Sequence, residues 1–229
     1  MAKRSVLFVL TSNDQLGDTG KPTGYHLAEV SHPYYVLAEA GYIIEFASPK
    51  GGPVPMDPGS EDREDPDNAR FLEDEIVQNK LSGTLGADQV DPERYAAIYY
   101  PGGHGTMWDL PDNPMLAETT RTVYENGGVI AAVCHGPAAL VNVQVGDGRY
   151  LVDGKKVAAF TDDEERAVGL DRVVPFLLAS RLRERGAHHQ AAPDFEKSVA
   201  VDDRLVTGQN PASAREVGER LRDLLEEAA

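Results

Sequence analysis

Two rhythms of apolar residues alternate along this chain. Short unbroken runs at 6–10 (VLFVL), 42–47, 96–100 and 129–133 read as buried strands. Between them lie stretches with apolar residues at helical intervals. Residues 24–40 set Leu27, Val30, Tyr34, Leu37 and Ala38 on one helical face, and Gly41 follows where such a helix would end. A second helix is predicted over about 114–126, after which Gly127 and Gly128 turn into the strand at 129–133. A third is predicted to start near His135 or Gly136. Buried strands linked by helices make a parallel sheet covered on both sides. The expected fold class is therefore α/β, with a doubly wound, mostly parallel sheet.

Beyond residue 140 the alternation loosens. The stretch 151–160 (LVDGKKVAAF) reads as a turn at Asp153 and Gly154 with a strand on each side. FTDDEERAVG opens with Thr161 as an N-cap and Glu164 three residues later, a capping box. An amphipathic helix is predicted over 174–187, stopped by Gly186, then a hairpin around Asp202 and Asp203, and a final helix over 211–228. With no internal repeat and no linker between two cores, one domain is expected over 1–229. The acidic, Pro/Gly-rich stretch at about 50–90 reads as an exposed insertion within it.

Composition narrows the function classes. A chain of 229 residues that is 41% hydrophobic can build a sizeable core. The net charge of -16 argues against nucleic-acid partners and anionic membrane surfaces. The start, MAKRSVLFVLTSND, joins a basic end to a short apolar run, but it lacks a small-residue cleavage pattern and reads as a core strand of a cytoplasmic protein. No run is long and apolar enough for a transmembrane helix. The lone cysteine, Cys134, fits a reducing compartment.

Reactive groups in open α/β sheets gather at the carboxyl ends of the strands. Three such ends carry suggestive residues: 12–14 (SND), 102–105 (GGHG), and Cys134 with His135. A nucleophile on a sharp strand-to-helix turn needs small neighbours, and Ala132 and Gly136 stand two residues to either side of Cys134. A thiol at a helix N-terminus also meets the positive end of the dipole, which favours the thiolate. Taken alone, the pattern fits an inert buried thiol equally well. Consecutive glycines let backbone N–H groups approach a reacting oxygen, and a plain tight loop would look the same. The two features on neighbouring strands count for more than either. No His-x-x-x-His spacing, Walker A or GxGxxG pattern occurs, so neither a metal nor another cofactor is expected.

AAVCHGPAAL, the PGGHGT loop, TGYHLAEVSHP, FTDDEE and LVTGQNPASA together resemble the ThiJ/PfpI superfamily of class I glutamine amidotransferase-like proteins. Within it they are most similar to the branch of glutathione-independent glyoxalases and heat-shock chaperones. The resemblance implies a flavodoxin-like fold with a nucleophile elbow after a central strand. It assigns Cys134 as nucleophile, His135 as the adjacent triad histidine, and Glu29 as the acid leaning over the sulfur. Gly103, with the elbow N–H of His135, matches the oxyanion site. The third triad acid maps to Glu165, although Glu164 is adjacent and the capping box accounts for only one of them. His26, three residues before Glu29, is expected at the pocket mouth with Gly102 and His104. Spacing alone would leave Glu29 an ordinary helix carboxylate. Beside a thiolate it is expected to hold its proton, because two neighbouring anions are costly. The resemblance further implies a small-aldehyde substrate, with methylglyoxal converted to lactate, and a homodimer. A holdase chaperone with a redox-sensitive cysteine is the alternative, as are the peptidase, amidase and isonitrile hydratase activities of the superfamily.

Overall fold

The computed structural model describes residues 4–228. In chain order the strands and α-helices are β1 (Ser5–Val9), α1 (Leu27–Glu39), β2 (Ile43–Ser48), β3 (Lys50–Gly52), α2 (Pro66–Glu73), α3 (Glu75–Ser82), β4 (Thr84–Gly86), β5 (Ala97–Tyr100), α4 (Thr106–Asp109), α5 (Pro114–Glu125), β6 (Val129–Val133), β7 (Gln144–Val145), β8 (Arg149–Tyr150), β9 (Lys156–Val157), α6 (Asp162–Ala167), α7 (Leu178–Glu184), β10 (His188–His189), β11 (Val199–Asp202), β12 (Leu205–Gly208) and α8 (Ala214–Glu227). Eight strands form one sheet in the order β11-β12-β6-β5-β1-β2-β4-β3. Its inner pairs are parallel, and an antiparallel partner closes each edge.

Alternate residues of β1 divide between two cores, as a sheet buried on both faces requires. Leu7 and Val9 pack with Ile98, Ile130 and Leu116 on one face, and Val6 and Phe8 pack with Tyr99, Leu27 and Leu221 on the other. The doubly wound α/β architecture expected from the apolar rhythm is therefore present, in the flavodoxin-like form that the resemblance implied. Among the described residues no helix is long and apolar enough to cross a membrane.

Register places the chemistry. Tyr100 pairs with Ala132 and Gly208 with Val133, so the ends of β5, β6 and β12 lie side by side. The loops that follow β5 and β6 leave the sheet next to each other.

Four expectations need correction. The chain after the elbow is not an α-helix but a short 3-10 turn, Gly136–Leu140, with Pro137 in its first turn. In 151–160 only Lys156–Val157 is a strand, paired in parallel with His188–His189; Leu151, whose N–H donates to the Val143 carbonyl, and Val152 are buried in a turn. The helix predicted over 174–187 shrinks to Leu178–Glu184; Pro175 disfavours helix in Val174, and Gly186 at φ 88 stops it at the other end. Residues 50–90 are not simply an exposed insertion. β3 and β4 from this stretch extend the sheet beyond β2, and Ser60, Asn68, Phe71, Val77 and Leu81 are buried. Charged neighbours mask these inward positions in the sequence.

Candidate active site

The sharp turn after β6 puts Cys134 at φ 61, a left-handed conformation rarely adopted by residues with a side chain. Hydrogen bonds on both sides hold it there. The Cys134 N–H donates to the Gly208 carbonyl at 2.9 Å, and the Phe160 N–H donates to the Cys134 carbonyl at 3.0 Å. Gly136 is obligatory because a Cβ there would run into the Tyr100 carbonyl oxygen. The thiol itself is 4% exposed.

One side of the sulfur is built from the loop after β6 and from α6. His135 Nδ1 lies 3.3 Å from Cys134 Sγ, and its Nε2 lies 2.6 Å from Glu165 Oε2. The second oxygen of Glu165 meets His104 Nε2 at 2.8 Å. Phe160 lies beside the His135 ring, with centroids 4.4 Å apart, and restrains it. Burial pushes Glu165 up, but hydrogen bonds from the two imidazoles outweigh that and hold its carboxyl at about 2. Burial, and then the neighbouring His104, push His135 down despite Glu165.

The other side comes from α1. Glu29, in the helix's first turn, is fully buried and accepts the Gly102 N–H on Oε2 at 2.6 Å. Tyr99 fixes the backbone there, its hydroxyl donating to the Glu29 carbonyl at 2.6 Å. Burial raises the Glu29 carboxyl to about 8, and only partial relief comes from Gly102 and Cys134. Burial likewise pushes the thiol up, an ionised Glu29 would push it further, and the His135 backbone N–H pulls it back. The expected helix-dipole thiolate is thus corrected: the 3-10 turn is too short to outweigh burial. At neutral pH the thiol, the Glu29 carboxyl and the His135 imidazole rest uncharged, and Glu165 is the anion among them.

Gly103, at φ 100, brings its backbone against residues 24–26, and its N–H has no acceptor among the described residues. Its carbonyl is held by the Thr106 hydroxyl, which is also shared with the His135 carbonyl. The His26 N–H donates to the Gly102 carbonyl at 3.1 Å, which ties α1 to the glycine loop. The His26 side chain is 29% exposed, and burial of its ring lowers its proton affinity to about 4.

The two adjacent glutamates separate cleanly. Glu164 Oε2 accepts the Thr161 N–H, and its Oε1 accepts Phe195 N–H, Gln209 Nε2 and Asn210 Nδ2. That carboxylate holds α6 to the chain before β11 and after β12, which gives Gln209 and Asn210 of the LVTGQNPASA motif their role. Residues 12–14 do not join the site. Thr11 and the Ser12 N–H instead hold the Asp109 carboxylate of α4. His32 also lies elsewhere, on Asp65 at 2.9 Å. Sequence reasoning placed His104 only at the pocket mouth; its bond to Glu165 spans 61 positions and leaves no local signal. His104, His135 and Glu165 could offer three donor atoms to a metal ion, as could His32, Asp65 and Asp67. In the first group both carboxylate oxygens already face imidazoles, so a cation would have to displace these bonds.

Residues 22–223 match the DJ-1/PfpI family. Glyoxalase 3 of Candida albicans is 33% identical over 228 residues, covering 93% of this chain and 95% of that protein. The chain belongs to the DJ-1/PfpI family. A glutathione-independent glyoxalase of Saccharomyces cerevisiae is also 33% identical, over 98% of this chain and 99% of its own. Among solved structures, the 24 kDa rapid encystment protein of Francisella tularensis superposes with a TM-score of 0.94 at 38% identity, covering 97% of this chain and 99% of that one. Glyoxalase III of Candida albicans does so with 0.89 at 31% identity, over 96% of each chain. In this DJ-1/PfpI member the elbow, the glycine loop and α1 converge on one thiol.

Proposed function

We propose that this protein is a glutathione-independent glyoxalase that converts methylglyoxal to lactate with Cys134 as nucleophile. The observation that carries the reading is a buried thiol on a left-handed elbow between an imidazole paired with a carboxylate and a second, fully buried carboxyl. Its similarity to relatives named as glyoxalases agrees with that chemistry.

The uncharged resting site defines the first step. As Sγ attacks the aldehyde carbon C1, its proton passes to His135 Nδ1, and Glu165 stabilises the imidazolium formed. The developing oxyanion faces the free Gly103 N–H, and protonation gives a hemithioacetal. Glu29, the protonated acid on the opposite side, moves protons between oxygen and carbon. In net terms the C1 hydrogen passes to C2 and the O1 proton passes to O2, so hemithioacetal and thioester are isomers. Water then cleaves the C–S bond, releasing the hydroxy acid and the thiol. Such general acid–base assistance contributes about 100- to 10,000-fold.

The test is lactate formation from methylglyoxal without glutathione, wild type against Cys134→Ala. The variant should be folded and inactive; undiminished turnover would remove the mechanism. The exposed large apolar side chains, including Ile43, Ile76, Met115 and Val201, stand on separate elements, so nothing in the surface raises the chaperone reading above this one.

A further inference from the structure

Two polar atoms at the site have no partner. Glu29 Oε1 and His26 Nδ1 are both buried, and neither has a hydrogen-bond partner among the described residues. They lie 4.0 Å apart, too far for a direct bond. Buried polar atoms are rarely left so, and each orphan is costly. Their spacing lets a single oxygen atom reach both at ordinary hydrogen-bond distances. Glu29 also acts directly on the Cys134 sulfur, so an oxygen held here would belong to whatever is bound to that sulfur.

Resting on the glyoxalase reading, we propose that His26 Nδ1 and Glu29 Oε1 together grip the second oxygen of a 2-oxoaldehyde, making His26 the residue that selects vicinal dicarbonyls over simple aldehydes. The first oxygen faces Gly103. The second, on C2, starts as a ketone, carries negative charge in the enediolate and ends as the lactate hydroxyl. The His26 Nδ1–H donates to this oxygen at each stage, and Glu29 donates whenever it holds its proton. The fixed 26–29 spacing on one turn of α1 holds the pair in register.

The probes are methylglyoxal and propanal, which share the three-carbon aldehyde but differ at the C2 oxygen. Because Cys134 is the only cysteine, protection from iodoacetamide reports hemithioacetal formation without ambiguity. In His26→Phe the methylglyoxal concentration needed for protection should rise about 10- to 100-fold, the size of one buried hydrogen bond. Protection by propanal should stay within about 3-fold of wild type, which also shows that the variant folds. His26→Asn, which keeps an N–H donor near the Nδ1 position, should recover most of the loss. Equal weakening for both aldehydes would overturn the proposal, since His26 would then act on the thiol itself. No change for either aldehyde would overturn it too. Selective loss in a wild-type background that forms no lactate would sink the glyoxalase reading and keep the dicarbonyl subsite.

Discussion

Glu29 and Glu165 are the same side chain in two opposite settings, on either side of one sulfur. Both are buried, at 0% and 2% exposed, so burial pushes both towards the neutral form. Glu29 receives one backbone N–H from Gly102 and rests at about 8. Glu165 receives an imidazole on each oxygen and rests at about 2. Burial alone therefore does not set the protonation state; the number and kind of donors do. One fold thereby keeps a carboxylic acid and a carboxylate within reach of the same thiol.

Removing the negative side of that contrast should have the largest effect. Glu165→Gln keeps the shape but leaves His135 without its anion, and kcat should fall by about 1,000- to 10,000-fold in steady-state lactate assays. A loss under tenfold would show that His135 needs no carboxylate.

Removing the neutral side should cost less activity, about 100-fold in kcat, and should change stability in the opposite sense. The native Glu29 carboxyl is raised from 4.5 to about 8, so between those pH values the folded state holds a proton that the unfolded chain lacks. Stability linked to Glu29 is fully present below about 4.5 and is lost as pH rises through about 8. Relative to Glu29→Gln, the wild type should lose roughly 3–6 kcal/mol across that window. Urea unfolding at pH 5 and pH 9 would read it; parallel curves for the two proteins would mean that Glu29 is ionised at rest. Glu165 predicts the reverse limb, with stability present above 4.5 and lost as pH falls towards 2.

The smallest effect should come from the outer imidazole. His104→Asn removes one of the two bonds that hold Glu165, while His135 keeps the other. A kcat decrease of about 10-fold with little change in KM is expected, the scale of one charged hydrogen bond. A loss as large as that of Glu165→Gln would make His104 an equal partner in the proton path.

How much of this was legible depended on whether the signal was local. The buried strands at 6–10 and 129–133 are uninterrupted apolar runs, and they appeared within a residue of their structural ends. Cys134 and Gly136 showed their turn because its crowding acts on immediate neighbours. Phe71 and Val77 were hidden because one short helix each carries them among charged residues. Glu164 and Glu165 could not be ranked from pattern alone. The capping box correctly marked Glu164 as spoken for, but the donors from 195, 209 and 210 are contributed by distant chain. The state of Glu29 was illegible without the fold, since an i, i+3 helix position says nothing about burial.

The anchoring of Glu164 carries a consequence for how the site comes into being during synthesis. Cys134 is fixed in its elbow only when the Gly208 carbonyl accepts its N–H, and Glu164, the neighbour of Glu165, is anchored only when Gln209 and Asn210 are in place. A chain cut before Gly208 lacks both the acceptor that holds the elbow and the amides that anchor α6. The only cysteine of the sequence thus owes its fixed setting to the last tenth of the chain, residues 208–229.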